Sequence, residues 1–579
     1  MPVIVLGLCI ILLAARLTIG VDLSDESYYA AFIDGWLKTG IEQSHNLMLH
    51  QTADFLVYPL ALVFRALNGG ADGLVLFLRV LYLAIAALAS TALYRAVAPR
   101  YGRPMSTLVA ACALLFVPFG LPAPSYNTIG MYSLLAALAL FAMYFGRVAP
   151  QPERQGLPVL PWLSATSWAF ACVAYPTMLA PLVLLLALGF AALKGQTDQY
   201  MLRRYLLACC AALALAAIAL ESTFGLSRLR DMVLFTNAFN GVSGGVVRKA
   251  QFAVSLFASH PRYAILLACA VIVAVIRGSS FHGLNRQWLN SFATAVIVVG
   301  VMAIDSPTLF MRSHDLVLVL SVAGVGEAFC TMLDSRNDRG ARAFGIIYLV
   351  SVAAGLTSMI TATNGPYNFP IGGLLSACLA LLPSASTVAK GTRPVLSDPQ
   401  ISAAKPNLFV GAIACCAIGW SSFTFYYGQI GSPFYDMAVV RDGAFKGLRT
   451  DSQQALFINE LTRAINSQGF CGNQMAVLGT GPGFYLMGAL SPSALSTWNF
   501  SGNAENLAAA KTAAFYNEPK NRPDVLIVNN WQWATALSRA DRELLSRYSI
   551  VRRVEVGLRA ATVYRRADCK RDALGAPRY

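Results

Sequence analysis

Charge is what this sequence has least of. Only 13% of its 579 residues are Asp, Glu, Lys or Arg, against 56% hydrophobic, whereas soluble domains carry roughly 25% charge. So few charges cannot cover a water-facing surface, which excludes a cytosolic enzyme. The apolar content excludes a disordered or fibrous chain. Histidine is nearly as scarce, five in all, and the five show no zinc-binding spacing. Ten of the twelve cysteines lie in apolar runs, where a thiol behaves as a small hydrophobe, so a disulfide scaffold is excluded as well. No P-loop, nucleophile elbow or internal repeat is present. Gly479-Thr-Gly481-Pro-Gly483 lacks the spacing of a dinucleotide fingerprint and is expected to be a strand-end turn.

Long apolar runs are what is present. Mean hydropathy is +0.56, and thirteen stretches between residues 2–20 and 407–427 are expected to span a bilayer, with a break near Tyr175-Pro176. The expected fold is a polytopic α-helical membrane protein with a soluble C-terminal α/β domain. The boundary is set at a transmembrane domain over 1–427 and a soluble domain over 428–579. With the N-terminus cytoplasmic, inside loops collect about twice as many Arg and Lys as outside loops, the positive-inside pattern. An odd number of spans then puts the C-terminal domain in the periplasm or its equivalent, and the chain in the inner membrane. The net charge of +15 is thereby used on membrane orientation, and no nucleic-acid partner is expected.

Residues 475–480 and 524–528 have the composition of buried strands, and 452–468 and 503–515 carry helical periodicity. Cys471 and Cys569 are the only cysteines of this domain. An oxidising compartment favours joining them; two buried thiols are the alternative.

The exterior loops are where chemistry is expected. Directly after the first span stands Val-Asp22-Leu-Ser24-Asp25-Glu26-Ser-Tyr28-Tyr29. Ser24 or Asp25 could cap a helix that starts here, and three carboxylates within five residues could take a proton from a hydroxyl or hold a divalent metal. No cofactor is firmly implied. A later loop ends on Arg312-Ser-His314-Asp315, where Arg312 and His314 could donate to a phosphate or the arginine could simply reach to the headgroups. Arg262, after His260-Pro261, is a further cation for an acidic group. Tyr126-Asn127 and Tyr367-Asn368 pair an aromatic with an amide, suited to stacking on a sugar ring and bonding its hydroxyls, and equally ordinary in turns.

A first span followed by Asp25-Glu26-Ser-Tyr28-Tyr-Ala30 and an amphipathic exterior loop resembles the GT-C superfamily of membrane glycosyltransferases. It is most similar to the branch holding protein O-mannosyltransferases, lipid A aminoarabinose transferases and bacterial Rgt-like transferases. The resemblance implies a polyprenyl-phosphate sugar donor and a glycan, lipid or protein acceptor at the outer face of the membrane, among membrane lipids. It implies inversion at the anomeric carbon with Asp25 as general base, Glu26 as a second acid, Arg312 on the donor phosphate and Tyr28 beside the substrate. The Ser-His pair at 313–314 departs from the Tyr-containing run commoner in such proteins. A lipid-linked glycan polymerase or ligase, and a flippase or transporter, are the alternatives in other classes.

Overall fold

In the computed structural model, the chain is described except for residues 1, 147–158, most of 240–260, 279–283, 304–311, 335–337, 362–364, 384–397, 425–435, 467–471, 480, 499–506, 531–536, 538 and 569–579. The Cys471–Cys569 bridge and the side chain of Arg262 therefore lie outside the described residues. The protein is a helical membrane protein with a C-terminal sheet. Among the described residues six helices are long and apolar enough to cross a membrane, and five apolar helices are shorter.

The N-terminal helix α1 (Pro2–Leu17) leads into an extended strip, then α2 (Asp25–Thr39), a one-turn α3 (Gln51–Phe55) and α4 (Tyr58–Asn68). The next helix, α5 (Leu74–Leu115), has 42 residues, about 63 Å at 1.5 Å per residue, twice the thickness of a bilayer core. It is two helical segments joined end to end. Gly102, at φ +78°, turns the backbone between Pro99 and Pro104, a conformation that only glycine adopts readily. Then come α6 (Tyr126–Gly146) and α7 (Val159–Ala174). The expected break at Tyr175-Pro176 is a 3-10 turn over Pro176–Met178, from which α8 (Leu179–Ala192) departs. Among the described residues six helices follow: α9 (Gln196–Phe224), α10 (Leu226–Phe239), α11 (Pro261–Gly278), α12 (Leu284–Ala303), α13 (Arg312–Ala323) and α14 (Val325–Leu333). The helical part ends with α15 (Arg339–Thr361), α16 (Phe369–Ala380) and α17 (Asp398–Thr424). α16 is only 12 residues long and is buried along its whole length. Gly372 and Gly373 let it lie against α15 and Phe369 so closely that a Cβ at Gly372 would stand 2.1 Å from the Ala354 carbonyl carbon.

The C-terminal part carries a two-stranded ribbon, β1 (Met437–Val439) with β2 (Arg449–Asp451), and a five-stranded sheet. The sheet is ordered β4 (Ser491–Pro492), β3 (Gln474–Leu478), β5 (Val525–Asn529), β7 (Arg559–Arg566), β6 (Tyr548–Val556). Both strands expected from sequence are there, paired in parallel from Met475 opposite Val525. Both expected helices are there too, at Ser452–Asn466 and Leu507–Asn517.

Alternation along the two central strands decides where this sheet is buried, because successive side chains point to opposite faces. Ala476, Leu478, Leu526 and Val528 pack with Tyr516, Leu544 and Tyr548 on the outer face. Met475, Val477, Val525 and Ile527 share one apolar core with Val21, Leu23, Ala30, Ile33, Leu74 and Leu78 of the chain's first 80 residues. The sheet and the first loop are one packed body.

Candidate active site

The strip between α1 and α2 is held from the C-terminal part by backbone pairing. Arg449 of β2 donates its amide to the Thr18 carbonyl at 2.7 Å, and its own carbonyl accepts the Gly20 amide at 2.7 Å. Gln454 Nε2 donates to the Val21 carbonyl at 2.9 Å. The glycine-rich turn after β3 completes the grip: the Gly483 amide donates to Leu23 O at 2.9 Å. A Cβ at Gly483 would stand 2.8 Å from the Leu23 Cα, so no side chain fits there. That turn is the strand-end turn expected from sequence, and its glycines allow it to press on the acidic loop.

Within this frame the three carboxylates have separate tasks. Asp22 accepts the Ser24 amide at 2.8 Å, the Ser24 hydroxyl at 2.5 Å and the Glu26 amide at 2.7 Å. It therefore satisfies the N-terminal amides of α2 that would otherwise be orphaned. The cap is Asp22, not Ser24 or Asp25. Burial first, then the neighbouring Asp25 charge, pushes the Asp22 carboxyl up to about 7.

Glu26 is buried in a two-pronged ion pair with Arg79, Nε to Oε1 and Nη2 to Oε2 both at 2.6 Å. The same guanidinium donates to the carbonyls of Leu17, Ile19 and Gly20 at 2.6, 3.2 and 2.9 Å. Both Glu26 oxygens are thus held by Arg79, and the pair fixes the bend from α1 into the strip. Asp25, in the first turn of α2, is the one acid of the three that stays partly exposed. Among the described residues no group of three or more His, Cys, Asp or Glu is placed to hold a metal ion.

One turn along α2, a row of rings begins. Tyr28 donates its hydroxyl or accepts at His50 Nδ1 across 3.1 Å and meets Phe32 and Trp498 edge-on at 4.6 and 5.9 Å between centroids. His50 stacks on Tyr126 at 4.4 Å, and Tyr126 continues to Tyr175 at 5.4 Å. Burial alone lowers the His50 pKa to about 4, so this imidazole is neutral at physiological pH. Tyr28 and Tyr126, named from sequence, are thus brought together, and Asn127 sits beside Tyr126 with its Oδ1 buried and unpartnered. Tyr367 and Asn368 lie in a 3-10 turn at the start of α16, where Asn368 is buried next to Tyr175. His50, Trp498, Arg79 and Asp54 were not singled out by sequence reasoning. A lone arginine inside an apolar run was the one signal available, since a charge there is normally paired inward.

Arg312 and His314 separate. Arg312 opens α13 half-buried, its Nε without a partner. His314 is 1% exposed, its Nε2 accepts the Phe119 amide at 3.2 Å, and its ring packs on Phe116 and Phe119 at 5.1 and 4.8 Å. A nitrogen that accepts a backbone amide has no hydrogen to give a phosphate. His314 braces the turn at Phe119, whose φ of +55° is unusual for a non-glycine residue.

No protein-family model and no curated protein matches the chain. Solved structures of low similarity include the Archaeoglobus fulgidus oligosaccharyltransferase in its apo form, at 13% identity and TM-score 0.49, covering 98% of this chain and 74% of that one. The same protein in complex with Zn and sulfate gives 12% and 0.48, covering 97% and 73%. The archaeal oligosaccharyltransferase AglB from Archaeoglobus fulgidus, with an inhibitory peptide and a dolichol-phosphate, gives 13% and 0.45, covering 95% and 72%.

Proposed function

We propose that this protein is an inverting membrane glycosyltransferase of the GT-C type. It moves a sugar from a polyprenyl-phosphate donor to an envelope glycan, lipid or protein acceptor at the outer face of the membrane. The observation that carries this reading is the division of labour among three adjacent acids. Asp22 caps the helix and Glu26 holds Arg79, so Asp25 is the carboxylate left partly exposed, beside a row of aromatic rings. In the reaction Asp25 takes the proton of the acceptor hydroxyl as its oxygen attacks the anomeric carbon. The bond from that carbon to the phosphate oxygen breaks, and polyprenyl phosphate leaves with the electron pair. Arg312 compensates the charge that appears on the phosphate.

The test is mass spectrometry of envelope glycans and lipid-linked sugars in cells lacking the protein. Loss of one sugar residue with accumulation of its lipid-linked donor is expected; unchanged glycans and lipids would remove the proposal. Arg312→Ala is expected to lower kcat/KM for donor by about 100- to 1,000-fold, the range for a lost transition-state donor, and to leave the acceptor KM alone. Steady-state kinetics with each substrate varied in turn measures this. We place the N-terminus in the cytoplasm and residues 428–579 as a soluble domain in the periplasm. A reporter fused after Tyr579 should then be active only outside the cytoplasm.

A further inference from the structure

We infer that Asp54 and Gln51 form the acceptor half of a sugar-binding subsite, built to receive adjacent hydroxyl groups of the transferred sugar; this rests on the glycosyltransferase reading above. Both residues lie on α3, three positions apart and so on one face of the turn, and both are 0% exposed. Neither oxygen of Asp54 has a hydrogen-bond partner, and neither has Gln51 Oε1. The Gln51 amide is oriented by its own Nε2, which donates to the Asn46 carbonyl at 3.0 Å. The unmatched atom is thus an acceptor by geometry. Three buried acceptors without a donor are a costly arrangement that native proteins rarely keep. The missing complement is a ligand that brings several hydrogens.

Place and surroundings narrow the ligand to a sugar. His50 of the ring row directly precedes α3, and Ala53 of α3 shares a core with Ala30 and Ile33 of α2, so the orphan carboxyl lies by the ring row and the helix that carries the candidate base. Tyr28, His50 and Tyr126 supply flat faces for a pyranose or furanose ring, and the carboxyl and amide supply partners for its hydroxyls. Burial, with no neighbouring cation, raises the Asp54 carboxyl well above its usual range. The site is closed in the unliganded protein, and the ring layer must part to admit the sugar.

The test uses the full-length protein in nanodiscs and reads its unfolding midpoint with polyprenyl phosphate and with polyprenyl-phosphate glucose, mannose, galactose and ribose. In the wild type at least one sugar-bearing lipid should bind more tightly than polyprenyl phosphate itself. In Asp54→Asn that sugar-dependent increment should fall by at least about tenfold in affinity, while binding of the bare phosphate lipid is retained. Unliganded Asp54→Asn should also be more stable than wild type at pH 8. The folded carboxyl has a raised pKa, so its stability is lost as pH rises above the ordinary carboxylate range, and the amide has no such loss. A sugar increment intact in Asp54→Asn overturns the inference and leaves the glycosyltransferase reading standing. The absence of any response to sugar-bearing lipids in the wild type overturns both. Stabilisation of wild type by methylammonium, lost in Asp54→Asn, also overturns it, in favour of a cation site. Should Asp54→Asn fail to fold, Gln51→Ala serves in its place, with the same increment expected to fall.

Discussion

Asp25→Asn is expected to lower the transfer rate by about 100- to 10,000-fold, the contribution of a positioned general base, with folding and membrane insertion intact. The amide has the size of the carboxylate and cannot take up a proton. The fold should survive the change because the task of capping α2 belongs to Asp22, which receives the Glu26 amide at 2.7 Å. Purified variant and wild type should therefore both be folded and show very different turnover. Wild-type turnover in Asp25→Asn would remove the reason for assigning transfer to this loop.

Glu26→Gln should fail in the opposite way. Glu26 and Arg79 are 1% and 2% exposed in their side chains and 2.6 Å apart. Removing one charge of a buried pair leaves the other uncompensated, at a cost of about 3–5 kcal/mol, a large part of the roughly 5–15 kcal/mol that holds a folded domain together. The expected result is low yield and a markedly lower unfolding midpoint, with near-normal turnover in whatever fraction folds. Arg79→Ala should behave likewise, and it also releases three carbonyls of the 17–20 bend. The control is Glu26→Leu with Arg79→Met, which replaces the pair by apolar groups and should recover the part of the lost stability that came from an uncompensated charge, though not the part from the three released carbonyls. A Glu26→Gln protein that is stable and inactive would return Glu26 to the reacting centre.

These two outcomes mark the line between what could be read along the chain and what could not. The acidic motif could be located because charge is so rare here that Asp22, Asp25 and Glu26 stand out. Which acid does what could not be read, because the role of Glu26 and the placing of the strip are fixed by distant partners. Arg79 is 53 residues from Glu26, and Gln454 is 433 residues from the Val21 carbonyl it holds. The same limit applies to His314. Its position beside Arg312 suggested a shared phosphate site, yet a helix turns by about 100° per residue. Neighbours two apart face different surroundings, and His314 faces Phe119.

Composition and periodicity by themselves determined that this is a membrane protein, where its apolar helices lie, and that the two central segments β3 and β5 of the C-terminal sheet are strands. Those properties follow from local chemistry: apolar runs of span length, alternation along strands, and proline and glycine at breaks. Only the tertiary structure decided that one face of the C-terminal sheet buries the acidic loop, that Asp25 is the acid left partly exposed, and that Asp54 is enclosed without a partner. Burial and pairing depend on what packs from elsewhere in the chain, and no local pattern of residues encodes that.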